Sequence, residues 1–589
     1  MTRSGTPHIG VPHQTGGFRC APCNGDFLKR LSCTRCAASA DCQSDISFTS
    51  LRRTLMVRSL ALRLLIVCLS VAFVERAQAQ RTVDLDAATI IELNAAFDAG
   101  TLTAEQLVKR YLARIAAYDA HGPRIHALIS LNDHALQTAR ALDTERKAKG
   151  RRSLLHGIPI VLKDNYNTRD MPTTGGSVFL AGYIPSQDAF LVQRLRDAGA
   201  IILAKVNMSE FASSGAYSSL GGQTLNPHNL AYSPSGSSGG TGASIAAAFA
   251  QFGLGTDTGG SIRGPATVNG IVALKPTHGL LSRSGIIPLA LSFDTGGPMA
   301  RSVTDIAVAL GLLTGADPAD SATRKSDGHV EHDYTKYLQS NALMGARIGI
   351  ARDFTGYDTD VDWIVESSLA AMRRAGATIV EVRFPMWMLA AKGAWYTAIR
   401  FPEFPAQIAE YLKDTPSAYP KSLAEMIERA RAMQSLAASS DGTLTAPNAS
   451  RWAKFVSELA SGTTDDYRYR TVRDHALPMM RDVVNGMLVS NKLDAIVYPT
   501  QSVKPERIDA PENSTAPDAM NIANLTGFPD LIVPAGFSDN RLPIGLSFLG
   551  PAWSEPKLLS LGYAFEQITH ARRRPANTAA LAGEGILVK

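Results

Sequence analysis

The sequence predicts an α/β fold: a single large domain with a central, mostly parallel, mixed sheet and helices on both faces. Three features indicate this fold. Short apolar runs suit buried strands, segments of helical periodicity alternate with them, and no linker rich in Pro, Gly or Ser divides residues 80–589. Such alternation is typical of a layered domain in which helices cover both faces of a sheet. We therefore expect residues 80–589 to fold as one unit.

The first predicted helix begins with a capping-box pattern at Thr103 and Gln106, in which each side chain satisfies a free backbone N–H of the other residue. Leu107, Tyr111 and Ile115 then recur at the spacing of one helix face. The elements predicted next are a strand over 157–162 that ends on a charged pair, a helix over 188–199 and a strand over 200–204.

The second half of the chain repeats the alternation. The predicted strands are 346–351, 378–382, 495–498 and 531–534, and the predicted helices are about 358–375 and 555–569. The stretch 384–470 departs from this rhythm because it is helical and rich in aromatic residues. We expect it to be a helical insertion near the active site, either as an extra core on one side of the sheet or as a wall over the site.

Charge and cysteine are concentrated in the N-terminal tail. The net charge of +6 lies wholly within residues 1–79, and the remaining residues carry equal numbers of acidic and basic side chains. A nucleic-acid-binding face needs a basic excess, so we expect no nucleic-acid partner. All six cysteines precede residue 80, which excludes disulfides, a cysteine nucleophile and thiolate metal sites from the body. Its histidines are scattered, so we expect no metal and no cofactor.

Residues 56–79 match the pattern of a secretory signal peptide. Arg58 and Arg63 supply the positive region, 64–74 is apolar, and 77–79 forms a small-x-small cleavage site. A membrane anchor would need about 20 apolar residues. We therefore expect cleavage before Gln80, no stable membrane span in the mature form, and a periplasmic or secreted protein.

Residues 1–55 are expected to be an untranslated or disordered extension, with translation starting at Met56. The alternative is a zinc module, because Cys20-x-x-Cys23 and Cys33-x-x-Cys36 resemble paired zinc knuckles. Only nine residues separate the two pairs, and no apolar periodic segment follows that could fold around a metal ion.

The chemistry is predicted to lie in residues 233–266, where Gly and Ser are abundant. The order is a loop over 233–240, a small-residue helix over about 241–250, a strand over 252–255 and a tight loop over 256–261. Both loops would return to one end of the sheet and bring Ser237 and Ser261 together.

Other motifs fit this segment less well. Residues 236–240 match the G-x-S-x-G elbow of α/β-hydrolases, but no apolar strand precedes them, as that elbow requires. Neither phosphate-binding glycine motif is present in this segment. A flexible linker is excluded because 245–252 is apolar.

The segment closely resembles the signature of the amidase signature family, G-x-S-S-G-G followed by G-T-D-x-G-G-S-I-R-x-P. The resemblance covers nearly all of 84–575 and extends to 155–165, 204–211, 270–289, 294–305 and 527–537. It implies a single amidase-signature domain. The stretches 295–305 and 548–567 look most like peptide amidases, whereas Ser235 stands where many members have Gly.

The family resemblance implies a catalytic group of two serines and a lysine. Ser261 is the implied nucleophile, Ser237 is the implied proton relay within a cis peptide, and Lys163 is the implied base. Serine is a weak nucleophile until a base removes its proton. Lysine serves as that base only when neutral, which burial favours by lowering its pKa.

The resemblance also implies how the site is supported. The residues expected to bind substrate or stabilise an oxyanion are Thr258, Gly259, Gly260 and Phe211, together with the backbone N–H of Ser261. The residues expected to support the structure are Gly236, Asp257 and Arg263. Asp257 and Arg263 have no reacting role in this scheme, so we expect a buried pair that braces the loop rather than a direct substrate contact.

The implied function is hydrolysis of amide C–N bonds through a serine acyl-enzyme. We expect a small-molecule or peptide substrate, and the leading candidate is a primary amide on an extended, largely uncharged molecule, such as a C-terminally amidated peptide. Aryl- or fatty-acyl amides are an alternative. A glutaminase-like amidotransferase subunit is another, although its tRNA would be cytoplasmic. The remaining alternative is a silent binding protein on the same fold.

Overall fold

A mixed sheet of eleven strands forms the centre of the fold. The computed structural model describes residues 81–213, 215–439, 448–509 and 516–588. The strands in these ranges are β1 (Arg81–Val83), β2 (Leu128–Leu131), β3 (Pro159–Lys163), β4 (Ile201–Val206), β5 (Tyr217–Ser218), β6 (Gly222–Gln223), β7 (Phe252–Asp257), β8 (Val272–Lys275), β9 (Thr295–Ala300), β10 (Arg347–Ala351), β11 (Thr378–Val382), β12 (Ala495–Pro499), β13 (Asp530–Phe537), β14 (Pro543–Leu549) and β15 (Ile586–Val588). The eleven strands run in the order β11-β10-β12-β14-β13-β8-β9-β7-β3-β4-β2.

The α/β class and the single large mixed sheet are confirmed, but the expectation of a mostly parallel sheet is wrong. Parallel pairs occur only in two groups, β11-β10-β12 and β7-β3-β4. The other neighbouring strands in the described sheet pair antiparallel. The reason is physical: a strand buried on both faces reads as an apolar run in either direction, so the sequence pattern carries no information about direction.

Helices and short turns connect the strands. The α-helices are Ile90–Asp98, Ala104–Ile115, Ala135–Lys149, Phe190–Asp197, Gly239–Ala246, Arg263–Val268, Val303–Leu313, Thr359–Arg374, Met386–Leu412, Leu423–Ser439, Ala449–Leu459, Tyr467–Thr471, Leu477–Ser490, Met520–Thr526 and Glu555–Thr569. Shorter helical segments are Ala116–Ala120, Val178–Leu180, Glu210–Ala212, Ser321–Ser326, Thr335–Tyr337, Arg352–Phe354 and Val472–Ala476. Of the helices in the described ranges, none has both the length and the hydrophobicity needed to cross a bilayer.

The predicted elements are present within a few residues of their expected ends. The capping box is formed, since Thr103 accepts from the Gln106 N–H at 3.1 Å and Gln106 accepts from the Thr103 N–H at 3.1 Å. Leu107, Tyr111 and Ile115 are buried, as their helical spacing predicts. The predictions for residues 1–55 and 56–79 lie outside the described residues.

The segment that follows Phe384 contributes to an apolar cluster that it shares with residues from 179–289. Phe404, Trp452 and Phe455 are buried in it. The Phe404 and Phe455 rings stack with centroids 6.2 Å apart. Arg451 lies over both rings and forms a buried ion pair with Glu458 at 2.9 Å. Pairing is what makes a buried guanidinium tolerable in an apolar cluster. The three helices from Met386 to Leu459 therefore pack as an additional core.

Candidate active site

The sheet register brings the two signature loops to one edge. Strands β3 and β7 are parallel neighbours, with Ile160, Val161 and Leu162 paired to residues 252–254. Parallel strands end at the same edge, so Lys163 at the end of β3 lies beside the end of β7 and the loop that follows it. The loop before helix Gly239–Ala246 returns to the same place, and the site is built where these three segments meet.

Lys163 points into a cage of hydroxyl groups. Its Nζ donates to Ser237 Oγ at 2.7 Å, to Ser238 Oγ at 3.0 Å and to Thr256 Oγ1 at 2.8 Å. The lysine is fully buried, and among the described residues it has no carboxylate within ion-pairing distance. Ser238 and Thr256 were not singled out by sequence, because a hydroxyl residue next to a motif carries no distinguishing pattern.

Burial lowers the pKa of Lys163 to about 7. The charged form loses its hydration inside the protein, and three hydroxyl contacts replace only part of it. The carboxylates of Asp257 and Asp294 raise the pKa, but by less than burial lowers it. A substantial neutral fraction is therefore present near neutral pH, and a neutral amine is able to accept a proton.

The Gly236–Ser237 peptide bond is cis, as the family resemblance implies. A Cβ on Gly236 would overlap Ser209 and the carbonyl of Gly215, so glycine is required there by close packing. The Ser237 carbonyl accepts from the Ser209 N–H at 3.1 Å. These contacts fix the Ser237 hydroxyl against Lys163.

Ser261 lies beside Ser237 at the wall of one cavity. The Ser238 N–H donates to the Ser261 carbonyl at 3.2 Å, which ties the two loops together. The cavity has a volume of about 550 Å³, and both Ser237 and Ser261 line it. The structure thus brings together Lys163, Ser237 and Ser261, the three residues that the sequence predicts to react.

The candidate oxyanion loop differs in part from the prediction. The Gly260 N–H donates to Asp257 Oδ1 at 2.8 Å and is therefore occupied, so its predicted role as an oxyanion donor is wrong for this structure. The Thr258 hydroxyl donates to Asp294 Oδ1 at 2.5 Å, and Thr258 does not line the cavity. Gly259 and Ser261 do line it, and within the described ranges their N–H groups have no acceptor. Sequence alone did not reveal how Asp257 uses the Gly260 donor.

Phe211 is not placed to touch a substrate. Its side chain is 1% exposed and packs edge-on against Phe455, with ring centroids 5.9 Å apart. Its backbone N–H donates to the Gly175 carbonyl at 2.9 Å. The prediction that Phe211 binds substrate is therefore corrected: the residue belongs to the apolar cluster behind the cavity.

Asp257 and Arg263 form the buried pair that the sequence predicts. Arg263 Nε lies 3.1 Å from Asp257 Oδ2, and its Nη1 lies 3.2 Å from Asp530 Oδ2. Asn524 joins them by donating to Asp257 Oδ1 at 2.8 Å. The nearby guanidinium holds the pKa of Asp257 below its usual range despite the burial. The Asp257 carboxylate also accepts from the Ile262 N–H at 2.9 Å, so the pair braces the loop that carries Ser261.

The walls of the cavity come from segments far apart in the chain. Helices of the 386–459 region supply Tyr396, Arg400, Phe401 and Lys454. A second wall is formed by 501–506 and by residues near Met520. The aromatic run was the sequence signal for the first wall, whereas nothing in the sequence marked the second. In the part of the chain that the structure describes, no cluster of three or more His, Cys, Asp or Glu side chains could hold a metal ion.

The chain is similar to known proteins along most of its length. The family model described as Amidase matches residues 106–559. A probable amidase of Arabidopsis thaliana is 32% identical over 521 residues, which cover 86% of this chain and 95% of that protein. A glutamyl-tRNA(Gln) amidotransferase subunit from Thermoanaerobacter pseudethanolicus is 35% identical over 503 residues, which cover 84% of this chain and 98% of that protein.

Solved structures of other proteins are also similar to this chain along most of its length. The native peptide amidase from Stenotrophomonas maltophilia superposes with a TM-score of 0.75 at 39% identity and covers 84% of this chain and 99% of that one. A glutamyl-tRNA(Gln) amidotransferase subunit from Thermotoga maritima superposes with a TM-score of 0.62 at 26% identity and covers 84% of this chain and 99% of that one.

Proposed function

The chain belongs to the amidase signature family and is an enzyme that acts on amide C–N bonds, and from this premise we propose a mechanism with Ser261 as nucleophile, Ser237 as proton relay and Lys163 as base. The observation that carries the proposal is the 2.7 Å contact between Lys163 Nζ and Ser237 Oγ, in a pocket that lowers the pKa of the lysine to about 7.

The proposed first half of the reaction acylates Ser261. Its Oγ adds to the amide carbonyl carbon while its proton passes to Ser237, whose own proton passes to the neutral Lys163 amine. The carbonyl electron pair moves to the oxygen, beside the free N–H groups of Gly259 and Ser261. Collapse of the tetrahedral adduct breaks the C–N bond, and the proton returns through Ser237 to the departing amine.

The second half releases the acid. A water molecule adds to the acyl carbon and gives its proton to the same relay, and the ester bond to Ser261 then breaks. Ser261 recovers a proton from the relay, which restores the starting state. One lysine is sufficient for both halves because it gives back in each the proton that it accepts.

For the substrate we propose a primary amide on an extended molecule, with C-terminally amidated peptides as the leading candidate. The similarity to a peptide amidase structure at 39% identity supports this choice. The cavity offers Tyr396 and Phe401 as apolar wall, which suits the mostly hydrophobic lining of ligand sites. Ammonia as leaving group needs one proton and little space.

The test is turnover by purified protein of a panel of peptide amides, anilides and fatty-acyl amides. We expect release of ammonia from peptide amides, with the internal peptide bonds left intact. Rapid hydrolysis of anilides or fatty-acyl amides without any attack on peptide amides would replace the substrate proposal and leave the amidase assignment in place.

A glutaminase-like activity is the second candidate, favoured by the 35% identity to an amidotransferase subunit. Free glutamine belongs in the same panel for this reason. Glutamine turnover that rises on addition of partner subunits, with no turnover of peptide amides, would favour that function.

We also propose that the mature protein begins near Gln80 and is periplasmic or secreted, because 56–79 has the signal-peptide pattern. N-terminal sequencing and metal analysis of the protein from its own host test this. Chains that retain 20–36 with stoichiometric zinc would show that the paired cysteines form a zinc module.

A further inference from the structure

One polar group at the cavity wall has no role in the mechanism above. The Tyr396 side chain projects from helix Met386–Leu412 into the cavity that Ser237 and Ser261 line. Among the described residues, its hydroxyl has no hydrogen-bond partner. The ring is held in place, because it stacks on Phe293 with centroids 5.6 Å apart and planes 15° apart. An oriented hydroxyl thus faces the reaction space with its donor unused.

The position of this hydroxyl relative to the oxyanion loop is defined by Gly259. A Cβ at residue 259 would lie 2.7 Å from the Tyr396 hydroxyl oxygen and 2.8 Å from its ring carbon Cζ. Glycine is therefore required there because the tyrosine occupies the side-chain space. The hydroxyl oxygen therefore lies close to the Cα of Gly259, whose N–H is one of the two unoccupied donors that line the cavity.

We propose that the Tyr396 hydroxyl is a third oxyanion donor, which hydrogen-bonds to the substrate carbonyl oxygen as Ser261 adds to the carbonyl carbon. The donor takes the place that the Gly260 N–H cannot fill, since that group is bound to Asp257. No proton is transferred: the carbonyl electron pair moves to the oxygen, and Tyr396 keeps its hydrogen throughout.

The electrostatic surroundings suit a donor that stays protonated. Burial raises the pKa of Tyr396 to about 12, and the carboxylates of Asp294 and Asp257 raise it as well, although Arg400 opposes them. Below this pKa the hydroxyl carries its hydrogen. A fixed donor interacts most strongly when negative charge develops on the oxygen, that is, in the transition state.

The first test is Tyr396→Phe, which removes the hydroxyl and retains the ring that stacks on Phe293. With a peptide amide that the wild type hydrolyses, we expect kcat to fall on the order of 10²-fold, the usual effect of losing one oxyanion donor, while KM stays within about threefold. A peptide aldehyde that forms a tetrahedral adduct with Ser261 should lose affinity by a factor similar to the loss of kcat.

The matched control is Tyr411→Phe on the same helix. The Tyr411 hydroxyl donates to Asn167 Oδ1 at 2.7 Å and does not line the cavity. We expect its kcat and aldehyde affinity to equal those of the wild type. Thermal unfolding of both variants checks that the helix is intact.

A second probe keeps the hydroxyl in place. Replacing Tyr396 by 3,5-difluorotyrosine makes the phenol more acidic, so kcat should fall at alkaline pH, where the wild type stays constant, as the donor ionises. This measurement decides the question if Tyr396→Phe fails to fold.

The inference rests on the proposed function, and the two fail in different ways. A wild type that hydrolyses no amide would refute the proposed function. A wild type that hydrolyses peptide amides, with Tyr396→Phe unchanged in kcat, would refute the oxyanion role alone. A rise in KM without a change in kcat would also refute it, because it would show contact with the ground state only.

Discussion

Two buried lysines on adjacent parallel strands differ in their partners. Lys163 ends β3 and Lys205 lies in β4, where it pairs in register with Leu162. Both side chains are fully buried. Lys205 lies 3.2 Å from the carboxylate of Asp164 and donates to backbone carbonyls, including that of Tyr166 at 2.7 Å. Lys163 meets mainly hydroxyl groups and has no carboxylate partner in the described ranges.

The partners of a buried amine affect how readily it holds a proton. Burial lowers the pKa of both lysines, and the Asp164 carboxylate counteracts this for Lys205. A paired ammonium braces structure, because breaking the pair leaves a charge without compensation. An amine surrounded by hydroxyls gives up its proton easily and suits a base. We therefore expect the ion partner, rather than burial alone, to separate the structural role of Lys205 from the proposed role of Lys163 as base.

The largest expected effect is on catalysis. Lys163→Met removes the proposed base and Ser261→Ala removes the proposed nucleophile, so each should lower kcat by at least about 10³-fold with the fold intact. Ser237→Ala should lose much of the activity, since it interrupts the proposed proton relay. Ammonia release by equal amounts of folded protein measures this. Retained activity in Ser261→Ala would refute the assignment of the nucleophile.

The second effect is a loss of stability with activity retained, the reverse of what we expect for Lys163→Met. Lys205→Met leaves the Asp164 carboxylate buried without its cation, which should lower the free energy of unfolding by about 3–5 kcal/mol. Activity per folded molecule should stay near that of the wild type, because Lys205 does not line the cavity. Urea denaturation of the two lysine variants measures the contrast. Equal destabilisation by Lys163→Met and Lys205→Met would contradict the separation of roles.

Much of this arrangement could be predicted from sequence, and the limits have physical causes. The strand that ends on Lys163 and the loops of Ser237 and Ser261 were predicted because apolar runs and glycine-rich loops are local signals. The use of the Gly260 N–H by Asp257 and the burial of Phe211 depend on contacts between distant segments. Local patterns do not encode such contacts, and for the same reason the antiparallel centre of the sheet was missed.

The third effect is on pH dependence. The buried lysine must be neutral to act as base, so kcat/KM should rise with pH and level off above about pH 7, the pKa of Lys163. The free energy of unfolding should also depend on pH through the ionisation of Lys163. Between pH 7 and the ordinary lysine value of 10.5, the unfolded chain binds a proton that the folded chain does not, so the free energy of unfolding from this group rises with pH. Lys163→Met should lack that rise, whereas an identical slope in the variant would contradict it.

The smallest expected effect distinguishes burial from a bound cation as the cause of the low pKa of Lys163. A metal ion near the amine would also disfavour its ammonium form. If burial is the cause, EDTA should change neither kcat nor the pH at which activity levels off.

Thiol reagents should also have no effect on protein that begins at Gln80, because residues 80–589 contain no cysteine. Protein that retains 1–79 serves as the control for the thiol reagent, since all six cysteines lie within those residues. An upward shift, in EDTA, of the pH at which activity levels off, reversed by zinc, would show that a cation rather than burial sets the pKa of this lysine.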